Sequence, residues 1–310
     1  MAFALVFPGQ GSQSVGMMTA YGESAVIRET FAEASAALGE DLWQMVCEGP
    51  TERLAMTVNT QPLMLTAGVA VYRAWLAAGG AKPAIMAGHS LGEYSALVAA
   101  GVLAFADAVP LVRFRAQAMQ DAVPKGEGAM AALLGLDVAA VQEACAEAAA
   151  GEVVEPANLN APGQIVIAGG AAAVQRAVEI AKAKGAKRAV LLPVSAPFHC
   201  ALMRPAAERL QERLAGVSLS APQIPVLNNV DVATYDDTDR IRDALVRQAF
   251  SPVRWIESIQ AIAARGVGQV YECGPGKVLA GMSKRIESAL VGGAIADADG
   301  LQQAIAATGA

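Results

Sequence analysis

The chain has 310 residues, of which 54% are hydrophobic and 17% are charged, and its formal net charge is −6. This length and composition exclude a disordered chain and predict one large domain, or a large domain with an insert. The negative charge argues against general binding to nucleic acids, because a phosphate backbone selects basic surfaces.

The four cysteines lie far apart and form no C-x-x-C pair. Their spacing predicts neither a metal site nor a disulfide framework, and it indicates a reducing cytoplasm. No uniformly apolar run reaches the length that spans a bilayer. The first residues lack a basic leader, so we interpret them as a strand rather than a signal peptide. We therefore expect a cytoplasmic protein that is not bound to membranes.

The first part of the chain alternates short apolar runs with helical patterns, which predicts an α/β fold with a parallel sheet covered on both faces. The predicted strands are Phe3–Phe7 and Ala84–Ala87, and the predicted helices are Gln61–Ala77, Glu93–Ala100 and Asp107–Ala122.

The segment from about residue 128 to residue 192 follows a different order: strand, helix, strand, strand, helix, strand. This order is the ferredoxin-like pattern. Its elements are predicted at Ala129–Leu134, Val138–Ala149, Val154–Asn160, Gln164–Ala168, Ala171–Lys184 and Lys187–Leu192. We expect a ferredoxin-like subdomain over residues 125–196, inserted into a large α/β domain that comprises residues 1–124 and 197–310. Small ligands tend to bind in the cleft between such domains.

Gly88-His89-Ser90-Leu91-Gly92 is a G-x-S-x-G motif between a predicted strand and a predicted helix. The glycines allow a sharp turn that projects the serine hydroxyl beside the amide groups of the helix start. The motif predicts Ser90 as a nucleophile and the Leu91 N–H as an oxyanion donor. The alternative is a plain strand–helix connection in which the serine caps the helix.

A nucleophilic serine needs a base, and the chain has two histidines. His89 adjoins Ser90 on a sharp turn, so its ring should point away from the hydroxyl and serve the structure. His199 lies where the chain returns from the insert and is the better candidate base. The alternative for His199 is a loop histidine without a task.

The partner that orients such a histidine is commonly Asp or Glu, and no carboxylate after His199 stands out. A main-chain carbonyl does. At the end of the helix predicted over Asp239–Phe250, Pro252 has no N–H to offer the carbonyl of Gln248 four residues earlier. This carbonyl is free to hold the His199 ring, and water is the alternative partner.

Arg115 has Leu111, Val112, Ala118 and Met119 one helical turn away, so it lies on the apolar stripe of its helix. A buried guanidinium needs an anionic partner. That partner is either a structural carboxylate or the carboxylate of a substrate, held by the two-pronged donor.

Pro8-Gly9-Gln10-Gly11-Ser12-Gln13 forms a Gly-rich exit from the first predicted strand. Its backbone N–H groups could face a substrate carbonyl, and the alternative is a turn without function. Phosphate binding is disfavoured, because the lysine of a P-loop is missing.

Together these stretches resemble the malonyl-coenzyme A:acyl carrier protein transacylases of fatty acid synthesis, over essentially the whole chain and in the family's order. The matching stretches are Phe7-Pro8-Gly9-Gln10-Gly11-Ser12-Gln13, Gly88-His89-Ser90-Leu91-Gly92-Glu93, the Arg115 helix, Asn158-Leu159-Asn160-Ala161-Pro162-Gly163-Gln164, Pro197-Phe198-His199 and Glu272-Cys273-Gly274-Pro275-Gly276.

The resemblance implies an α/β-hydrolase-like domain with Ser90 as the nucleophile that becomes malonylated. It implies His199 as the base, the Gln248 carbonyl as its orienting group, and the backbone N–H groups of Gln10 and Leu91 as the oxyanion hole. A serine ester and a thioester both activate an acyl group, so we expect no metal and no cofactor.

The resemblance also implies Arg115 as the ligand of the malonyl carboxylate. Asn160 lies where the family has a residue that faces the site from the small subdomain. Phe198, directly before His199, is similar to the malonyl-selective form of that motif. The implied partners are malonyl-coenzyme A and acyl carrier protein, and we expect a monomer.

Acyl carrier proteins are acidic, so docking requires positive charge near the cleft. The candidate docking residues are Lys182, Lys184, Lys187, Arg188 and Arg204. Ordinary enrichment of lysine at a helix C-terminus explains most of them equally well.

Three other functions compete with this hypothesis. A serine esterase or thioesterase predicts an acidic partner for the histidine and no arginine in the acyl pocket, and the sequence favours the reverse. A catalytically idle module that docks carrier protein would not need Ser90 and a base. The same transfer in a malonate decarboxylase or a polyketide pathway remains open.

Overall fold

Two β-sheets organise residues 1–309, which are the residues that the computed structural model describes. The strands are β1 (Phe3–Phe7), β2 (Ile85–Gly88), β3 (Gly128–Leu134), β4 (Val154–Ala161), β5 (Gln164–Gly170), β6 (Arg188–Leu191), β7 (Val226–Leu227), β8 (Gln269–Cys273) and β9 (Val291–Ile295). The α-helices are α1 (Ala25–Leu38), α2 (Leu42–Glu48), α3 (Thr51–Ala55), α4 (Thr57–Ala77), α5 (Leu91–Ala99), α6 (Phe105–Asp121), α7 (Val138–Ala149), α8 (Ala171–Ala183), α9 (Arg204–Ala215), α10 (Thr238–Gln248), α11 (Trp255–Ala264), α12 (Val278–Ile286) and α13 (Ala298–Thr308).

The larger sheet is parallel throughout, with the strand order β7-β2-β1-β8-β9. β1 and β2 are buried along their whole length, which explains their unbroken apolar sequences. In the register of β1 and β2, Phe7 pairs with Gly88 at the end of both strands. The carboxyl ends of the strands therefore meet at one edge of the sheet, the edge where open α/β sheets bind ligands.

The smaller sheet is antiparallel, with the strand order β4-β5-β3-β6 and two helices, α7 and α8, packed against it. The chain order is β-α-β-β-α-β, which confirms the predicted ferredoxin-like pattern within an α/β fold. The exact boundaries at residues 125 and 196 stay a prediction. β4 bonds to the segment between α10 and α11, where the Leu159 N–H donates to the Val253 carbonyl and the Val253 N–H donates to the Ala157 carbonyl, both at 2.9 Å.

Helices α4 and α6 bring polar side chains to the cleft between the sheets. α4 is buried along nearly all of its length, including Gln61. It begins at Thr57, earlier than the predicted start at Gln61, and it contains Pro62. α6 buries the stripe that carries Arg115. None of the helices in residues 1–309 combines the length and apolarity that crossing a membrane requires.

Candidate active site

Ser90 occupies a sharp turn between the end of β2 and the start of α5. Its backbone has φ 52° and ψ −109°, a strained conformation for a residue with a side chain. The flanking glycines are required by contact: a Cβ on Gly88 would lie 1.9 Å from the Gly92 carbonyl carbon, and one on Gly92 would lie 2.0 Å from the Phe7 oxygen. The Ser90 side chain forms no helix cap. The capping role that the sequence left as an alternative is therefore not observed, and the hydroxyl is free to bond to other groups.

His199 lies directly behind the serine hydroxyl. Its Nε2 is 2.7 Å from Ser90 Oγ, and its Nδ1 is 2.9 Å from the main-chain oxygen of Gln248. A carbonyl can only accept, so Nδ1 carries the proton and Nε2 is left to accept from the serine hydroxyl. Burial, and then the nearby charge of Arg115, lowers the pKa of His199 to about 3. The ring is therefore neutral at physiological pH, as a base must be.

His89 points away from the Ser90 hydroxyl, as the turn geometry predicts. Its Nε2 donates to Asn160 Oδ1 at 2.8 Å, and its ring packs edge-on against Trp255 with centroids 5.5 Å apart. Burial lowers the pKa of His89, so this ring too stays neutral. Asn160 therefore reaches the site from β4, but its side-chain oxygen accepts a hydrogen bond from His89 and not from a group at the Ser90 hydroxyl.

Arg115 is 1% exposed and lies beside the serine hydroxyl. Its Nη1 donates to Gln61 Oε1 at 2.9 Å, and its Nη2 donates to Gln248 Oε1 at 2.9 Å and to Ser90 Oγ at 3.2 Å. Its guanidinium carbon lies 5.3 Å from the centre of the Tyr94 ring. Its Nε has no hydrogen-bond partner among the described residues.

No carboxylate in residues 1–309 forms an ion pair with Arg115 within 4.0 Å. The neighbouring Arg113 differs, because it pairs with Glu40 through two hydrogen bonds of 2.9 and 3.1 Å. The structural carboxylate that the sequence left open as a partner for Arg115 is thus not found. A buried guanidinium whose hydrogen-bond partners are all neutral retains an attraction for an anion that enters the cleft.

Ser90, His199 and Arg115 line a cleft of about 240 Å³ between the two sheets. Phe198 and Asn160, both singled out from the sequence, line it as well. Much of the remaining wall is apolar and comes from α6, the small sheet, the segment after β6, and α12. These apolar residues are Met119, Met130, Val166, Leu192, Val194, Val278 and Met282.

The two predicted oxyanion donors also border the cleft. Leu91 opens α5, so its N–H has no acceptor one turn earlier within the helix. Gln10 follows Gly9, where an added Cβ would lie 2.5 Å from the His89 oxygen. The exit of β1 can therefore approach the serine turn closely only because residue 9 is glycine. The structure brings both backbones beside Ser90, and their role as an oxyanion hole stays a prediction.

Three buried side chains of the site were not predicted from the sequence. Asn229 accepts the Ser90 N–H at 2.8 Å through Oδ1 and donates to the Gly88 carbonyl at 2.7 Å through Nδ2, so it clamps the turn. Gln61 holds Arg115. Glu93, one turn into α5, accepts from Gln248 Nε2 at 2.8 Å. The only sequence signal for Asn229 is a polar residue just after an apolar strand, and β7 is too short to show periodicity.

The five candidate docking residues lie outside this constellation. Lys182 is paired with Glu179 at 2.9 Å, and Lys184 with Glu147 at 2.7 Å. Arg204 starts α9 and stacks over the Phe250 ring at 4.5 Å. The other two, Lys187 and Arg188, are exposed and have no ion-pair partner among residues 1–309.

The fold and the cleft together place the protein among enzymes of the acyl-transfer class. Comparison with known proteins agrees, since the family model described as the acyl transferase domain matches residues 4–303.

Individual relatives are more specific. The malonyl CoA-acyl carrier protein transacylase of Escherichia coli (strain K12) is 57% identical over 304 residues, which cover 98% of each chain. The crystal structure of the acyl-carrier-protein S-malonyltransferase from Burkholderia pseudomallei 1710b has a TM-score of 0.98 at 61% identity, covering 99% of this chain and 100% of that chain. A malonyl-transacylase in complex with its type II PKS acyl-carrier protein has a TM-score of 0.98 at 51% identity, covering 99% and 100%. The chain belongs to the malonyl CoA-acyl carrier protein transacylase family of acyltransferases.

Proposed function

We propose that this protein transfers the malonyl group of malonyl-coenzyme A to the phosphopantetheine thiol of an acyl carrier protein and so supplies fatty acid synthesis. The observation that carries the proposal is Arg115, a buried guanidinium that touches the Ser90 hydroxyl and has only neutral partners. Such a group selects an acyl chain that ends in a carboxylate. The names and the high identity of the relatives support the same conclusion.

In the first half-reaction, the Ser90 hydroxyl gives its proton to His199 Nε2 while Oγ attacks the thioester carbonyl. The Gln248 carbonyl, bonded to Nδ1, stabilises the imidazolium that forms. The backbone N–H groups of Gln10 and Leu91 receive the developing oxyanion. When the tetrahedral intermediate collapses, the carbon–sulfur bond breaks and the coenzyme A thiolate takes the proton back from His199. The product is malonyl-Ser90.

In the second half-reaction, the carrier thiol follows the same path in reverse. His199 takes the thiol proton, sulfur attacks the serine ester, and Ser90 Oγ leaves with the proton from His199. Because a serine ester and a thioester are both activated, the exchange needs no metal ion and no redox cofactor.

The carboxylate of the cargo also affects the base. The positive charge of Arg115 is the second-largest cause of the low pKa of His199, after burial. A carboxylate bound to Arg115 offsets that charge, so the cargo itself raises the basicity of His199. Phe198 closes part of the acyl pocket and Asn160 faces it, which supports a small, unbranched acyl group.

Every group used in this mechanism lies within one chain, so the reaction requires no residue of a second subunit. The four cysteines are free thiols, which supports the cytoplasm as the location. A polyketide pathway is the second candidate destination, because one similar structure is of a malonyl-transacylase with a type II PKS carrier protein.

Intact mass spectrometry tests the proposal. After mixing with malonyl-coenzyme A, the protein is expected to gain one malonyl group. A chase with carrier protein from a fatty acid pathway should remove that group much faster than water does. A protein that hydrolyses the adduct equally fast without carrier would be an esterase, and the proposal would be wrong. Preference for a polyketide carrier would change the pathway and leave the chemistry intact.

We propose that Lys187 and Arg188 contribute to docking of the acidic carrier. The double charge reversal K187E/R188E is expected to raise the KM for carrier protein about tenfold, because repulsion of the acidic carrier replaces attraction. Loading of Ser90 from malonyl-coenzyme A should stay unchanged. K82E is the matched control, since Lys82 is exposed and precedes the opposite end of β2. An unchanged KM, or an equal rise in K82E, would place docking elsewhere.

A further inference from the structure

Glu93 is a buried carboxylate that the mechanism above does not use. It lies one helical turn after Ser90, is 2% exposed, and directs Oε2 at two donors. These donors are the side-chain amide of Gln248 at 2.8 Å and the main-chain N–H of Asn229 at 2.9 Å. Ser90 and Glu93 have the spacing of a capping box, in which the glutamate would reach back to the serine N–H. Here that N–H is held by Asn229 instead, so the carboxylate is committed elsewhere.

Both hydrogen-bond partners of Glu93 also bond to the backbone of the strained turn at Ser90. Asn229 accepts the Ser90 N–H at 2.8 Å, and Gln248 Nε2 donates to the Ser90 carbonyl at 3.0 Å. The two ends of the Ser90 peptide are therefore held by residues that Glu93 itself holds. Glu93 thus lies behind the turn as a common anchor.

Glu93 also fixes which way the Gln248 amide faces. A carboxylate can only accept, so the NH₂ end of the amide must face Glu93, and the oxygen end must face Arg115. If the amide were reversed, its NH₂ group would meet the guanidinium, donor against donor. The hydrogen-bonded series of Glu93 carboxylate, Gln248 amide and Arg115 guanidinium places a negative charge one amide away from Arg115.

We propose that Glu93 is a positioning residue, which acts through Gln248 and Asn229 to hold Arg115 and the Ser90 turn in the geometry that acyl transfer needs. The inference rests on the proposed function, because it concerns the same nucleophile and the same carboxylate ligand. It predicts that acyl transfer depends on the ionised form of Glu93, since the protonated acid is a weaker acceptor and puts a donor into the network.

The surroundings of Glu93 set the pH range of this dependence. Burial raises its pKa to about 7, opposed by hydrogen bonds from Gln248 and Asn229 and by the charge of Arg115. Asp231 adds a small upward effect and is itself paired with Arg247. The neighbouring Tyr94 has a pKa raised to about 12 by burial and stays neutral. On the other side, Glu93 faces a small pocket lined by Tyr235, Asn228 and apolar side chains.

Ionisation of Glu93 makes acylation faster at higher pH. Glu93 loses its proton as the pH rises through about 7, so the rate of Ser90 acylation should rise with pH across that range. His199, with a pKa of about 3 before the cargo binds, starts well below this range, and E93Q retains any step that His199 adds once the cargo is bound. The malonyl carboxylate and Arg115 keep their charges throughout.

The test is single-turnover acylation of the full chain by malonyl-coenzyme A, followed by intact mass between about pH 5.5 and 8.5. The wild type is expected to show a rate that rises about tenfold through pH 7. E93Q keeps an oxygen acceptor and loses the titration, so it should load slowly and at a rate independent of pH. E93D keeps a carboxylate and should keep a pH-dependent step. An E93Q profile that still rises like the wild type, or a wild-type profile without the step, would overturn the proposal.

E272Q is the matched control. Glu272 is also buried, with a pKa raised to about 7 by burial, and it bonds the Ala280 N–H in α12, away from Gln248 and Asn229. E272Q should keep the wild-type pH profile, and a flat profile in E272Q would assign the step to Glu272 and overturn the proposal. Thermal melting shows whether E93Q is folded, and the wild-type profile tests the proposal without any variant. A wild type that forms no malonyl adduct would defeat the proposed function itself.

Discussion

Arg115→Ala is expected to lower kcat/KM for malonyl loading by two to three powers of ten, while acetyl loading falls by no more than about tenfold. Loss of one partner from a buried, hydrogen-bonded charge pair costs about 3–4 kcal/mol, and only malonyl brings a carboxylate to form that pair. Acetyl loading loses the contact between Nη2 and Ser90 Oγ. Removal of the guanidinium charge also raises the pKa of His199, because that charge is the second-largest cause, after burial, of its low value. The higher basicity of His199 offsets part of the lost contact. The measurement is single-turnover loading from malonyl- and acetyl-coenzyme A, followed by mass.

Arg113→Ala provides the matched control on the same helix. Arg113 pairs with Glu40 and does not line the cleft, so its loss should leave both loading rates within about twofold of the wild type. Arg115→Lys should fall between wild type and alanine, because a single ammonium keeps the charge without the planar two-pronged donor. Equal losses on malonyl and acetyl in Arg115→Ala would mean that Arg115 only supports the structure.

The backbone of the site followed from local rules. The G-x-S-x-G pattern predicted the turn, and the close contacts at Gly88 and Gly92 show why no other residue fits there. The missing N–H of Pro252 pointed to the Gln248 carbonyl, which lies 2.9 Å from His199 Nδ1. The apolar stripe of α6 predicted burial of Arg115. Each of these inferences needs only neighbours along the chain.

The side-chain network could not be derived in the same way. Gln248 offers its carbonyl to His199, its amide oxygen to Arg115 and its amide nitrogen to Glu93, and only the tertiary fold brings those three together. Asn229 follows a strand of two residues, which leaves no periodic signal. Helix starts were also misplaced, since α5 begins at Leu91 and the predicted start was Glu93. Ser90 and Glu93 have the spacing of a capping box, which would have placed the start at Leu91.

Because a carbonyl and not a carboxylate orients His199, the charge of the site differs from that of a site with an acidic partner. A carboxylate behind His199 would hold the imidazolium more strongly and would add a negative charge close to the acyl pocket. The neutral Gln248 oxygen orients the ring without that charge. The nearest acidic group in the hydrogen-bonded network, Glu93, is separated from Arg115 by one amide. The site therefore keeps its net attraction for a carboxylate cargo, which suits malonyl transfer better than general ester hydrolysis.

Ser90→Ala is expected to abolish the malonyl adduct and to lower carrier malonylation by at least about 10³-fold, because no other hydroxyl is hydrogen-bonded to His199 among the described residues. The fold should survive. Alanine tolerates the strained turn about as well as serine does, and the loss is two hydrogen bonds, those of Oγ with His199 Nε2 and with Arg115 Nη2, each worth about 1–3 kcal/mol when its partner stays buried. Intact mass after incubation with malonyl-coenzyme A measures the adduct, and thermal melting measures the stability.

Ser95→Ala is the matched control, since Ser95 lies on α5, the helix that begins directly after Ser90. Its side chain is fully buried, and its hydroxyl has no hydrogen-bond partner in residues 1–309. It should load malonyl at the wild-type rate. An adduct that persists in Ser90→Ala would contradict the assignment, and peptide mapping would then locate it. Ser195 would be the first position to examine, because its hydroxyl lies 2.9 Å from Thr57 Oγ1, which in turn contacts the Gln10 side chain at 3.4 Å. Loss of the adduct in Ser90→Ala together with its retention in Ser95→Ala would place the acyl group on the serine of the turn.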